Sequence, residues 1–159
     1  MADQILTLRQ VREDDCEMLW HWVNQPEVRA SAFCSEPIPW EEHQIWFRKK
    51  MADPSCYIFI ALNEDKIPIG QIRFDPIDQE NLQIDISIED LYRGSGYGTL
   101  LILLGVKKIL NIDSSKIINA FIRPENKTSI KVFKKADFQY LQSKIVNGIK
   151  TEHYQKQNQ

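Results

Sequence analysis

Residues Leu82 to Leu110 read LQIDISIEDLYRGSGYGTLLILLGVKKIL, and this stretch decides the fold. It opens in strict alternation, with Leu82, Ile84, Ile86 and Ile88 apolar and Gln83, Asp85, Ser87 and Glu89 polar. A period of two is the signature of a strand with two unlike faces. The stretch closes in a helical run carrying Leu100, Leu101, Leu104 and Ile109. Between them lies Arg93-Gly94-Ser95-Gly96-Tyr97-Gly98. Glycines at alternate positions cost backbone freedom at a helix start. They make sense where backbone N–H groups must closely approach something bulky and anionic. The first turn of a helix offers unpaired N–H groups and the positive end of the macrodipole, so strand, glycine turn and helix together form a site for phosphates.

Two phosphate-binding patterns do not fit. A P-loop ends in Gly-Lys-Ser/Thr, whereas Gly98 is followed by Thr99-Leu100. The dinucleotide pattern places its third glycine five residues after its first, whereas Gly94 and Gly98 are four apart, and Asp113 sits in a turn-like Asn-Ile-Asp-Ser-Ser rather than at a strand end. Arg93-x-x-Gly96-x-Gly98, after an alternating strand and before an apolar helix, resembles the acyl-CoA signature of the GNAT superfamily of N-acetyltransferases.

The bulk composition sets the class. At 159 residues the chain reads as a single domain, 1–159, with a frayed tail at about 156–159. Hydrophobic content of 43% and charged content of 26% are ordinary for a globular protein. A net charge of −2 argues against a general nucleic-acid binder. No apolar run approaches the ~20 residues of a membrane span, and Met1-Ala2-Asp3-Gln4 lacks the basic start of a signal peptide. Cys16, Cys34 and Cys56 are widely spaced, with no histidine in a ligand pattern; they read as reduced thiols of a cytoplasmic protein with no metal site.

In chain order, Ile5 to Arg9 alternates as a first strand, and an acidic Glu13-Asp14-Asp15 opens a helix with apolar Cys16, Leu19, Trp20 and Val23. The helix breaks at Asn24-Gln25-Pro26, and an irregular stretch follows from Ser31 to Pro39. A second helix, from Pro39 to about Met51, carries the apolar stripe Trp40, Ile45, Trp46, Phe47 and Met51. Strands are expected at Tyr57–Leu62, Ile67–Phe74, Lys116–Ile122, Phe138–Val146 and Ile149–Tyr154, with a helix over Lys127–Ala136 and a type I′ turn at Asn147-Gly148. The order β-α-α-β-β-β-α-β-α-β-β describes an α/β (α+β) domain: a mixed, mostly antiparallel sheet with helices on both faces, similar to the GNAT fold throughout. The run Arg123-Pro124-Glu125-Asn126 through Asp137-Phe138 resembles the family's closing segment, with Asp137 where glycine is usual.

The resemblance implies acetyl transfer from acetyl-CoA to an amine without a metal. It places the backbone of Ile86, Ser87 and Ile88 on the pantetheine arm. Arg93, Gly94, Ser95, Gly96, Tyr97, Gly98 and Thr99 fall around the pyrophosphate, and Asn126 near the reactive end. The usual general acid is a tyrosine seven residues after the asparagine, and that position is Phe133; Tyr97, Tyr140, water or substrate would replace it. Asp85, on the polar face of the strand, and His43, at the start of the second helix, are the candidate bases.

The acceptor side falls to the first half. The phrases Trp22-Val-Asn24-Gln-Pro26-Glu-Val-Arg29, Ser35 to His43, and Gly70-Gln71-Ile72-Arg73-Phe74-Asp75 resemble a narrower group, the nucleotide-amino-sugar N-acetyltransferases of pseudaminic and legionaminic acid biosynthesis. That resemblance implies as acceptor the 4-amino group of a UDP-4-amino-4,6-dideoxy sugar, with Trp22, Asn24, Trp40, Arg73 and Asp75 in contact with it. Two rivals are an acetyltransferase of protein N-termini or ribosomal proteins and a non-catalytic acyl-CoA-binding module. No nucleic-acid or membrane partner is expected, and either a monomer or a homodimer fits.

Overall fold

Seven strands form one sheet in the order β1-β2-β3-β4-β5-β7-β6. The computed structural model describes residues 4–158. In chain order the elements are β1 (Thr7–Gln10), α1 (Cys16–Val23), α2 (Pro26–Ser31), α3 (Trp40–Ala52), β2 (Tyr57–Leu62), β3 (Pro68–Pro76), β4 (Asn81–Ile88), α4 (Tyr97–Ile112), β5 (Ile117–Ile122), α5 (Lys127–Lys135), β6 (Gln139–Val146) and β7 (Ile149–Gln157). Neighbouring strands run antiparallel except β4 and β5, which are parallel.

The alternation in β4 sorts its side chains as the pattern requires. Leu82 and Ile84 join Ile72 and Phe74 of β3 in the main core, which α4 covers with Leu101, Ile102, Val106 and Ile109 and α5 with Phe133. Gly105 lets α4 lie close: a Cβ there would collide with the Ile72 side chain and stand 3.2 Å from Phe74. On the opposite face a smaller core joins Leu19 and Trp22 of α1, Phe47 of α3 and Ile60 of β2. The helices therefore lie on both faces, as expected. The left-handed positions also follow the sequence: Asp137 leaves α5 at φ 68°, and the β6–β7 turn has φ 51° at Asn147 and 77° at Gly148.

Four local expectations are corrected. The chain forms α2 within the stretch read as a break, Pro26 supplying its first turn. The inward residues of α1 are Leu19 and Trp22, with Trp20 only half-buried. In α3, His43 and Phe47 are buried while Ile45 is 54% exposed, because the stripe pointing at α1 runs through 43 and 47. Strand β7 continues to Gln157, past the point where the tail was expected to fray. Lys156 pairs with Ile118, and its Nζ lies 2.9 Å from Asp137 Oδ2.

Candidate active site

Strands β4 and β5 pair over three positions only, Asn81, Leu82 and Gln83 against Ile117, Ile118 and Asn119, and then part. Beyond that point Ile84 to Ile88 pair with β3 alone, and Ala120 to Ile122 with β7 alone. The result is a wedge in the middle of the sheet. At its closed end the Asn119 amide donates to Asn81 Oδ1 at 3.0 Å and the Leu82 carbonyl at 3.2 Å. Its own oxygen accepts from His153 Nε2 at 2.8 Å and Gln155 Nε2 at 3.1 Å.

Because the two strands are parallel, both carboxyl ends lie at the open end of the wedge, where ligands of α/β sheets bind. There β4 leads into α4 and β5 into α5, so two helix N-termini border the opening. Gly96, at φ 86°, is the N-cap of α4 and has no side chain to cap the first-turn N–H groups. Gly94, Gly96, Tyr97, Gly98 and Thr99 thus present an uncapped helix start that suits a diphosphate. Asn126 caps α5 by accepting from Ser129 N–H at 3.2 Å, and its amide nitrogen has no hydrogen-bond partner among the described residues.

Asp85 lies two residues beyond the parting, on the polar face of β4, its side chain 49% exposed. Gln71, buried on β3, donates Nε2 to Asp85 Oδ2 at 2.9 Å and to Ser87 Oγ at 3.3 Å. Arg73 Nη1 stands 3.5 Å from the same Asp85 oxygen, and its Nε donates to Asp75 Oδ2 at 2.7 Å. Burial works against the Arg73 charge, but the carboxylates Asp85 and Asp75 outweigh it and hold its pKa above the ordinary value. Asp75 loses water too; the opposing pull of Arg73 and Lys50 keeps its pKa below the usual carboxylate range. Beside them Cys56 is pushed up to about 12 by burial and then by the Asp75 charge, so it stays a thiol.

Several residues singled out from the sequence stand elsewhere. His43 is buried between α1 and α3, bonded through Nε2 to the Cys16 carbonyl at 2.9 Å and stacked against Trp46, and cannot meet an acceptor as a base. Trp22 is core. Asn24 pins the loop before α3, donating to the Ile38 carbonyl and accepting from Ile38 N–H. Trp40 packs edge-on against Trp20, centroids 5.2 Å apart. Arg73 is held by Asp75 and by the face of Trp46, 4.9 Å below its guanidinium, and is not free for a diphosphate. Arg93 turns away from α4: its Nε donates to the Ile88 carbonyl at 2.9 Å, and its other nitrogens reach Glu27, Asp90 and Gln25. Phe133 is buried against Phe138, so no hydroxyl is offered there. Gln71, Glu27 and Arg123 escaped the sequence reading, since each acts through a partner 14 or more residues away. Among the described residues no cluster of His, Cys, Asp and Glu could hold a metal ion, and no helix is long and apolar enough to cross a membrane.

The model of a family described as an acetyltransferase (GNAT) domain matches residues 6–139. An uncharacterised protein of Methanocaldococcus jannaschii is 27% identical over 138 residues; the match takes in 86% of this chain but 28% of that protein's length. The crystal structure of a domain from the same organism superposes with a TM-score of 0.82 at 26% identity, covering 97% of this chain and 99% of that one. The aminoglycoside acetyltransferase AAC(6')-Ib in complex with coenzyme A gives a TM-score of 0.82 at 21% identity, over 96% and 95% of the two chains. Spermidine N-acetyltransferase from Vibrio cholerae, in complex with CoA and spermine, gives 0.81 at 19%, over 94% and 92%.

Proposed function

Since the chain belongs to the acetyltransferase (GNAT) family, we propose that it transfers the acetyl group of acetyl-CoA to the primary amine of a small molecule. The observation that carries this reading is the parting of β4 from β5 with two helix N-termini at its open end. In this reading the released edge of Ile86, Ser87 and Ile88 holds the pantetheine arm, and an N–H of that edge polarises the thioester carbonyl. The N–H groups from Gly94 to Thr99 take the pyrophosphate, and the free amide of Asn126 faces the reactive end. The amine arrives on the polar face of β4, where Asp85, held by Gln71, takes the proton released as nitrogen bonds to the carbonyl carbon. The C–S bond then breaks. The thiolate leaves with a proton from water, since Phe133 offers none; a thiol of pKa about 8.5 is a fair leaving group without further help.

For the acceptor, the sequence phrases at Trp22–Arg29, Ser35–His43 and Gly70–Asp75 support the 4-amino group of a UDP-4-amino-4,6-dideoxy sugar. The diphosphate of such a sugar must find partners other than Arg73, which is already paired. A second reading, a cationic amine, is favoured by the half-exposed carboxylate of Asp85 at the opening. Thiol release from acetyl-CoA over a panel of UDP-amino sugars, polyamines, aminoglycosides and N-terminal peptides tests both. Turnover on the sugars and a drop of about 10²-fold in kcat/KM for Asp85→Asn, with acetyl-CoA binding retained, are expected. Turnover confined to the cationic amines selects the second reading, and turnover confined to peptides rejects both acceptor classes. Acetyl-CoA binding without turnover on any amine reduces the protein to a binding module.

A further inference from the structure

The six residues of α2 include none that is fully buried. So short a helix does not persist in water by itself; its place is set by what grips it. Two arginines do so, one from each side of the wedge. Arg93, past the end of β4, reaches Glu27 Oε2 at 3.2 Å and Gln25 Oε1, while keeping the Ile88 carbonyl at 2.9 Å and Asp90 at 3.3 Å. Arg123, past the end of β5, donates to the Ala32 carbonyl at 3.0 Å and the Ala30 carbonyl at 3.4 Å. The start of α2 is therefore tied to the β4 side and its end to the β5 side, so the helix lies across the opening. Where α2 ends, a cavity of about 90 Å³ remains, lined by Ala30, Ser31, Arg123, Glu125 and Asn126.

The Arg93 side chain is also ill suited to a diphosphate. Its Nε, Nη1 and Nη2 all donate within the protein, and the carboxylates of Glu27 and Asp90 both lie within 3.3 Å of Nη1. An incoming anion meets a guanidinium already neutralised, with two negative charges beside it.

We propose that Arg93 and Arg123 are positioning residues for the acceptor side, fixing α2 as a brace over the opening, so that their loss weakens amine binding and not acetyl-CoA binding. The inference rests on the acetyl-transfer reading for its kinetic part only. Arg29 within α2 offers a readout independent of activity: its guanidinium is folded onto the Val23 carbonyl at 2.7 Å and the Cys34 carbonyl at 3.0 Å, and a released α2 exposes it to trypsin.

The test compares the full chain with Arg93→Met and Arg123→Met, and with the milder Glu27→Gln should either fail to fold. Acetyl-CoA affinity by calorimetry is expected to stay within about twofold, tryptic cleavage after Arg29 to speed up several-fold, and KM for the amine to rise about tenfold with kcat little changed. Glu27→Gln moves cleavage and KM the same way by a smaller factor. An acetyl-CoA affinity reduced more than tenfold in Arg93→Met overturns the proposal and returns Arg93 to the diphosphate. Unchanged cleavage after Arg29 in both arginine variants overturns it as well. If the parent protein acetylates no amine, the proposed function fails, while the calorimetric and proteolytic results still decide whether the brace exists.

Discussion

Two imidazoles are kept neutral inside the folded protein. Burial pushes the pKa of His43 down, against the pull of the Cys16 carbonyl, and that of His153 down with help from Lys144. In the unfolded chain both return to about 6.5. As pH falls below that value the unfolded state takes up protons before the folded state does, so stability present above about 6.5 is lost as pH passes down through the folded values. The urea midpoint is expected to hold level between about pH 8 and 7 and to decline towards pH 5, with His43→Gln removing part of the slope; a midpoint flat to pH 5 would refute this. Residue by residue, legibility followed local pattern. Asp85 was readable because alternation assigns its face, whereas its partner Gln71 was not, because the register setting Gln71 opposite Ser87 is a property of two strands. Trp22 looked like an acceptor contact and proved to be core because the inward stripe of α1 is only eight residues long and could be drawn through 20 or 22.

Among the elements, α4 has the least room to move. Gly105 brings its backbone onto β3, and the methyl of Gly105→Ala would have to displace the Ile72 side chain beside Phe74. Although alanine is the better helix former, overpacking of about 1–3 kcal/mol should prevail, read as a lower urea midpoint; an unchanged or higher midpoint would show that Ile72 yields freely. Helix α4 announced itself through sixteen residues of apolar periodicity. Helix α2 did not, since it is six residues long, opens on a proline and owes its place to Arg93 and Arg123, more than 60 residues along the chain. Long periodic elements carry their instructions within themselves, and short ones borrow them.

For the whole molecule, the succession of elements along the chain was legible because its connections have their own turn chemistry, as at Asn147-Gly148 and Asp137, whereas the order of the strands within the sheet was read only from the structure. The extent of the β4–β5 pairing was not, because where two twisted strands separate depends on everything packed against them. An occupant of that gap should stabilise both halves of the sheet together. Acetyl-CoA at 100 times its dissociation constant is expected to add about 2.7 kcal/mol, raising Tm by several degrees, and the absence of any shift at high acetyl-CoA would show that the folded chain does not bind it in preference to the unfolded one.

In engineering terms the sheet is a plate with a notch cut into it, and only three rungs hold the plate together beyond the notch tip. Stress applied across the strands concentrates at such a tip. Asn119 sits there as a rivet, fastened to β4 through Asn81 and Leu82 and to β7 through His153 and Gln155. Its buried amide, which makes no contact with the reaction, is one of the fastenings that hold the tip closed.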